Sequence, residues 1–214
     1  MFDEFSGYIL AGGKSSRMGS DKAFLKIGDK NFVENAVEIL QPICENRLKI
    51  VLNSKQNYFI EKLPENIPHI FDIYKTRGAL GGIHASLKDC KTKYAVILAV
   101  DLPCVSSEAI IKLCKITFDL QQISAVIPIQ NNSKLQPLCG VYERNACLPK
   151  LEVLLTENNS ISVHQFLELI DFITVDQTKL QDNSNSFLNV NSPADYEQII
   201  LNKKMIKSKI DKNL

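Results

Sequence analysis

The sequence has few histidines and lacks the cysteine spacing of the usual transition-metal sites. It has only three histidines, at positions 69, 84 and 164, and its cysteines form no C-x-x-C pair. Structural zinc sites need four such ligands at short spacing, so this distribution argues against a zinc-binding module. We interpret the histidines as structural or surface residues. We interpret the cysteines as reduced core thiols, at positions 44, 90, 104, 114, 139 and 147.

Long apolar runs are also missing. The longest, Tyr94 to Val100, is far shorter than the roughly 20 residues that a membrane-spanning helix needs. The chain begins with the acidic stretch Met1-Phe2-Asp3-Glu4, and no long apolar segment follows it. We therefore expect no signal peptide and a cytoplasmic protein that does not contact membranes.

A strong excess of either charge is absent. The net charge is +1 over 214 residues, which argues against an extended nucleic-acid-binding surface. Residues 203–214 contain five lysines and one acid, so the preceding residues are slightly acidic. We predict one domain over residues 1–202, followed by a basic tail over residues 203–214, in a monomeric protein. The tail is typical of a fraying helix end, where lysines suit the helix dipole, rather than of a docking segment.

Apolar strands and helical patterns alternate along most of the chain. Tyr94 to Val100 shows no polar alternation, which indicates a central parallel strand buried on both faces. Helical spacing is present over residues 31–41 and around residues 110–118, and Ser192 to Asp195 reads as a helix start. The pattern predicts an α/β fold, with a mostly parallel, doubly wound sheet between two helix layers. The other predicted strands cover residues 8–11, 48–52, 69–73, 125–129 and 135–142.

Four polar features follow predicted strands directly: the pair Gly12-Gly13, then Asn53, Asp72 and Asp101. Ligands of open α/β sheets bind beyond the carboxyl ends of the strands. The fold would therefore bring these four features, which are distant in sequence, to one edge of the sheet. Their convergence is a stronger indication of a site than any one motif.

The first of these features opens a loop that is suited to phosphate. Glycines let the backbone approach phosphate oxygens, and Lys14, Arg17 and Lys22 add positive charge. Two familiar phosphate motifs do not fit. A Walker loop would need glycine where Tyr8 stands, and the dinucleotide fingerprint would need its first two glycines separated by one residue.

Asp101 leaves the most buried strand, and Pro103 follows two residues later. A carboxylate at this point suits magnesium, which prefers a few carboxylates together with phosphate oxygens. The alternative is a capping aspartate for the next helix. Ser106 and Ser107 already supply caps there, so we favour the metal ligand.

These residues resemble the signatures of the molybdenum cofactor guanylyltransferases, over roughly residues 7–200 and in the family order. The first signature, residues 10–23, reads LAGGKSSRMGSDKA and is shared with other nucleotidyltransferases. Asp72 with GALGGI at 78–83, DLP at 101–103, QPLCGVY at 136–142 and NVNSP at 189–193 match the others. Ala79 and Leu102 depart from the residues usual in the family, proline and methionine. The full ordered set is much more specific than the first signature.

The resemblance implies a nucleotide-diphospho-sugar-transferase type of Rossmann-like fold and a magnesium-dependent transfer of GMP from GTP to molybdopterin, with release of pyrophosphate. It implies nucleotide contacts at Leu10, Ala11, Gly12, Gly13, Lys22, Asn53 and Asp72, and the magnesium ligand Asp101. Gln136, Asn189 and Asn191 would contact the acceptor. We add Arg17 as a clamp on the leaving pyrophosphate. Lys22, Asp101 and Arg17 would thus be the catalytic residues.

Two other functions stay open on the sequence. One is a nucleotidyltransferase that uses CTP or UTP with a sugar phosphate or an alcohol phosphate. The other is a GTP-binding carrier that delivers cofactor without catalysis, against which the set of Lys22, Asp72 and Asp101 argues. Molybdoenzymes and cofactor-delivery proteins are candidate partners.

Overall fold

The structure is a computed structural model that describes residues 1–12, 22–54, 56–74, 77–157, 161–180 and 186–210. Side chains are described throughout these ranges except at residues 57, 157 and 203–210. The predicted site residues Gly13 and Arg17 lie outside the described residues.

Nine strands form two sheets in the part of the chain that is described. The main sheet has seven strands in the order β5-β4-β1-β6-β8-β7-β9, and β2 and β3 form a small separate hairpin. The strands are β1 Phe5–Leu10, β2 Lys26–Ile27, β3 Lys30–Asn31, β4 Leu48–Asn53, β5 His69–Asp72, β6 Tyr94–Ala99, β7 Ala125–Ile129, β8 Cys139–Glu143 and β9 Phe172–Asp176.

The helices begin where the sequence offers caps. Asn31 accepts from the Glu34 N–H and Glu34 accepts from the Asn31 N–H, which closes a capping box at the first helix. Ser106 caps the third helix, as the sequence predicts, by accepting from the Ala109 N–H. The helices are α1 Phe32–Cys44, α2 Ala79–Asp89, α3 Ser107–Leu120, α4 Arg144–Glu157, α5 Val163–Leu167, α6 Gln177–Leu180 and α7 Pro193–Ile210.

Buried apolar residues cover both faces of the main sheet. One cluster combines the β1 residues Phe5 and Ile9 with residues of α1 and α3. The other combines Tyr8 and Leu10, on the opposite face of β1, with residues of α2 and α4. The predicted α/β fold, with a mostly parallel sheet between helices, is thereby confirmed.

The chain reverses its direction of travel across the sheet next to β1. It moves from β1 outward to β4 and β5, and then returns to place β6 parallel to β1 on the other side. The gap between the ends of β1 and β6 is therefore a topological switch point, where open α/β sheets bind ligands.

Three local expectations differ from the structure. Glycines usually interrupt helices, yet Gly81 and Gly82 lie inside α2, and only Gly78, which has a φ of 53°, precedes the helix. The predicted strand over residues 135–142 begins only at Cys139, because Pro137 has no N–H to donate to a ladder. The observed β8 is also antiparallel to both of its neighbours.

The predicted boundary at residue 202 falls within α7, which continues to Ile210. The interpretation of the basic tail as a fraying helix end rather than a docking segment stays a prediction. Among the described residues, no helix is both long enough and apolar enough to cross a membrane.

Candidate active site

The ends of β1 and β6 lie side by side at the switch point. Leu10 is paired with Ala99, and the Val100 N–H donates to the Leu10 carbonyl at 3.2 Å. The chain continues from β1 into Ala11 and Gly12, and from β6 through Val100 into Asp101. The structure therefore brings the start of the first loop and the Asp101 segment to one edge of the sheet.

Gly12 lies in close contact with the end of β4. The N–H groups of Ala11 and Gly12 both donate to the Val51 carbonyl, at 3.0 and 3.2 Å. A Cβ atom on Gly12 would lie 2.9 Å from the Asn53 nitrogen, which is too close for any other residue without a backbone shift. This glycine is thus required by the approach of two backbones, in addition to any contact with a ligand.

Gln56 joins this loop to β4 and was not identified from the sequence. Its side-chain oxygen accepts from the Asn53 N–H at 2.9 Å, and its side-chain amide donates to the Ala11 carbonyl at 3.4 Å. Gln56 is buried. A single glutamine after a strand gives no sequence signal of such a role.

Asp72 is paired with Asn53 across β4 and β5, so both predicted residues are at the same edge. The Asp72 carboxylate accepts from the Tyr74 N–H at 2.7 Å, and burial raises the pKa of this carboxyl even though that bond opposes the shift. A Cβ atom on Gly81 would overlap the carboxylate. Asp72 is therefore packed directly against the first turns of α2, and its contact with a nucleotide stays a prediction.

Asp101 is held from the C-terminal part of the chain. The Val190 N–H donates to its carbonyl at 2.8 Å, and the Asn189 amide donates to its carboxylate at 3.4 Å. Burial raises the pKa of Asp101, and the charge of Lys22 and the Asn189 bond act in the opposite direction. The fold thus places a carboxylate at the switch point at an electrostatic cost that a cation would relieve.

Lys22 contacts the same C-terminal segment. Its Nζ atom donates to the Asn191 side-chain oxygen at 2.8 Å, across 169 positions of sequence. Residues 189–191 therefore contact Asp101 at one end and Lys22 at the other. Two of the three predicted catalytic residues, Lys22 and Asp101, are therefore linked through this segment.

The predicted acceptor residue Gln136 belongs to the same network. It is buried, and its side-chain amide donates to the Asn189 side chain at 3.0 Å and to the Phe187 carbonyl at 3.1 Å. The structure thus joins Gln136, Asn189 and Asn191 to Asp101 and Lys22. The sequence had assigned these groups to opposite substrates and gave no sign of their contact.

Two further residues without a sequence signal position this edge. Asn35 of α1 donates its side-chain amide to the Pro103 carbonyl at 3.0 Å, which fixes the exit from Asp101. Asp195 accepts from the backbone of Asn191 at 2.9 Å. The sequence had identified Asp195 only as part of a helix start.

The residues present suit magnesium better than a metal bound by protein alone. Within the described ranges, no group of three His, Cys, Asp or Glu side chains is arranged to hold a metal ion. Magnesium usually takes one or two carboxylates and completes its shell with phosphate oxygens and water. The partly buried Asp101 carboxylate, beside the loop that begins at Gly12, fits that chemistry.

Comparison with known proteins identifies the family. A profile described as "MobA-like NTP transferase domain" matches residues 7–170, about three quarters of the chain. The chain belongs to this family. MobA-like members are NTP transferases, so the protein is a nucleotidyltransferase. The match includes Lys22, Asp72, Asp101 and Gln136 but ends before residues 189–191.

Two relatives illustrate how far the similarity to this MobA-like chain extends. A protein of Carboxydothermus hydrogenoformans, named as a probable molybdenum cofactor guanylyltransferase, is 33% identical over 90% of this chain and 93% of its own. A protein of Natranaerobius thermophilus with the same name is 32% identical over 92% of this chain and 96% of its own.

Solved structures share the fold. The Archaeoglobus fulgidus molybdopterin-guanine dinucleotide biosynthesis protein A superposes with a TM-score of 0.77 and 24% identity, over 95% of this chain and 99% of its own. The 4-diphosphocytidyl-2C-methyl-D-erythritol synthase of Anaerococcus prevotii has a TM-score of 0.68 and 15% identity, over 94% and 96%. Both show that the MobA-like chain has the nucleotidyltransferase fold.

Proposed function

We propose that this protein transfers GMP from GTP to molybdenum-bearing molybdopterin, forming the guanine dinucleotide cofactor and pyrophosphate. The names of the relatives support GTP and molybdopterin as the substrates. The observation that carries the proposal is the pairing of Lys22 and Asp101 through residues 189–191 at the switch point. A cation-binding carboxylate and a phosphate-binding lysine on one edge suit a metal–triphosphate substrate.

The reaction needs positioning and charge neutralisation rather than a covalent enzyme intermediate. An oxygen of the terminal phosphate of molybdopterin forms a bond to the α-phosphorus of GTP. The bond between that phosphorus and the oxygen bridging to the β-phosphate breaks, and pyrophosphate leaves with the electron pair. The negative charge that develops on the phosphate oxygens is what the site must stabilise.

The residues of this chain divide these tasks. Lys22 donates to the phosphates, and Arg17 binds the leaving pyrophosphate. Asp101 would hold magnesium, which would supply charge neutralisation at the phosphates. The backbone from Leu10 to Gly13 wraps the nucleotide, with further contacts from Asn53 and Asp72.

Gln136, Asn189 and Asn191 form the acceptor side. Because Asn189 and Asn191 contact Asp101 and Lys22, an acceptor bound by these amides lies next to the groups that bind the triphosphate. That arrangement suits a direct transfer between two bound substrates. It also favours a catalyst over a passive carrier of cofactor.

The decisive experiment is incubation of the purified protein with Mg²⁺, GTP and molybdenum-loaded molybdopterin, followed by mass analysis for the dinucleotide and a pyrophosphate assay. ATP, CTP and UTP run in parallel. Formation of a dinucleotide with GTP, but not with ATP, CTP or UTP, supports the proposal. A preference for CTP or UTP contradicts it in favour of a related transferase, and GTP binding without pyrophosphate contradicts it in favour of a carrier.

We further propose that the protein works as a monomer in the cytoplasm. Light scattering after size-exclusion chromatography tests the oligomeric state directly. Truncation after residue 202 tests whether the basic tail contributes, and unchanged turnover is the expected result.

A further inference from the structure

The start of α7 has more contacts than a helix terminus needs. Asp195 accepts from the Ser192 N–H at 2.8 Å and donates its own N–H to the Ser192 hydroxyl at 3.2 Å, which is a capping box. The same carboxylate oxygen also accepts from the Asn191 N–H at 2.9 Å. That extra bond fixes the backbone of a residue outside the helix.

The fixed residue is the one that holds Lys22. The Asn191 side-chain oxygen accepts from Lys22 Nζ at 2.8 Å. The Asn191 N–H, with smaller effects from Ser192 and the Lys22 charge, keeps the pKa of Asp195 below its usual value. The carboxylate therefore stays ionised and available as the acceptor near neutral pH.

A second contact ties α7 to the segment that follows Lys22. The Tyr196 hydroxyl donates to the Lys26 carbonyl at 2.6 Å, and its ring lies 6.2 Å from that of Phe32. Ile199, one turn further along α7, is buried in the core. The start of α7 is thus bonded to Asn191 through Asp195 and to the segment after Lys22 through Tyr196.

We propose that Asp195 is a positioning residue that orients Lys22 through Asn191. The proposal rests on the proposed function, in which Lys22 binds the triphosphate. Asp195 touches neither substrate. Its carboxylate sets the backbone of Asn191, and the Asn191 side chain sets the direction of the lysine amine.

Steady-state kinetics with magnesium–GTP, measured by pyrophosphate release, test the coupling. Asp195→Ala is expected to lower kcat/KM about tenfold, which is the effect of weakening one charge-assisted bond. Asp195→Asn should stay within about threefold of wild type, because the amide oxygen still accepts both N–H groups. In the Asn191→Ala background, Asp195→Ala should change kcat/KM less than about twofold, since the route is already cut.

A matched helix cap separates positioning from stability. Gln165 occupies the same place in the capping box of α5, where it accepts from the Ser162 N–H at 2.9 Å. Gln165→Ala should lower the Tm as Asp195→Ala does, yet leave kcat/KM unchanged. Effects of Asp195→Ala and Asn191→Ala that simply multiply would overturn the proposal.

A second measurement does not depend on the identity of the substrate. Reductive methylation of Lys22, quantified by mass spectrometry without nucleotide, should be several-fold faster in Asp195→Ala than in wild type or Gln165→Ala. If Asp195→Ala does not fold, Asn191→Ala, which leaves the cap intact, must show the same acceleration. Equal labelling overturns the proposal, whereas absence of any pyrophosphate-releasing nucleotide refutes the proposed function alone.

Discussion

An aspartate lies at each end of the parallel strands of the main sheet, Asp89 where they begin and Asp101 where they end. The two carboxylates have different surroundings. Where the strands begin, Asp89 accepts from the Tyr8 hydroxyl at 2.9 Å and forms an ion pair with Lys49 at 2.8 Å. Where the strands end, Asp101 accepts a longer bond of 3.4 Å from an amide, and burial raises its pKa. One carboxylate is compensated by the protein itself, and the other is placed to be compensated by a ligand.

The largest expected difference between these ends is in catalysis. Asp101→Asn should lower turnover roughly a thousandfold, since each ~1.4 kcal/mol of lost transition-state stabilisation costs a factor of ten. Asp89→Asn should leave turnover within about twofold. Pyrophosphate release with saturating magnesium–GTP measures both. Near-full activity of Asp101→Asn would show that the metal assignment is wrong.

Removal of a lysine should likewise reduce kcat/KM more at the Asp101 end than at the Asp89 end. Lys22→Ala removes a charged donor worth about 1.5–3 kcal/mol, so kcat/KM should fall roughly 10- to 150-fold. Lys49→Ala, which removes the partner of Asp89, should leave kcat/KM unchanged. Equal losses in the two variants would remove the distinction between a catalytic and a structural end.

A smaller effect is expected in α2, which runs between the two ends. Gly81→Ala places a Cβ atom on the Asp72 carboxylate, so the free energy of unfolding should fall by about 1–3 kcal/mol. Gly82→Ala is the control, because its Cβ atom meets the flexible end of Leu10 at 3.3 Å. Urea unfolding measures both. A loss at Gly82 as large as at Gly81 would contradict a specific contact with Asp72.

The smallest expected effect is on thermal stability, measured without magnesium or nucleotide. Removing the charge should raise the Tm at Asp101 and lower it at Asp89. Because the pKa of Asp101 is higher in the folded state, ionisation of this carboxyl lowers the free energy of unfolding. The loss is absent below the unfolded pKa of about 3.9 and develops as pH rises through the folded pKa. Asp101→Asn should therefore raise the Tm at pH 7, and the gain should vanish towards pH 4. Asp89→Asn should lower the Tm at pH 7, and a fall in both variants would contradict the comparison.

The sheet and the edge that carries the site could be predicted because their signals are local. An uninterrupted apolar run predicts β6. Asn53, Asp72 and Asp101 could be identified because each is a polar residue directly after a predicted strand. The direction of β8 could not be predicted, because a strand buried on both faces has the same composition in either direction. The position of Gly81 inside α2 could not be predicted either, because glycine usually disfavours a helix. Here the close contact with the Asp72 carboxylate requires a residue without a Cβ atom.

The links between the site residues depend on long-range packing. Gln136 and Asn189 lie 53 positions apart, and Lys22 and Asn191 lie 169 apart. Nothing in their local sequence indicates that their side chains meet. The sequence could identify these residues as polar members of ordered motifs, but only the folded chain joins them.

The contact between Lys22 and Asn191 has a consequence for the order in which the protein becomes active. A chain emerging from the ribosome exposes the first strand and its loop early, but Asn191, which holds Lys22, emerges only 169 positions after that lysine. A partly synthesised chain therefore has the means to begin folding without an organised site. Competence for chemistry is delayed until the segment that contains Asn191 has been synthesised.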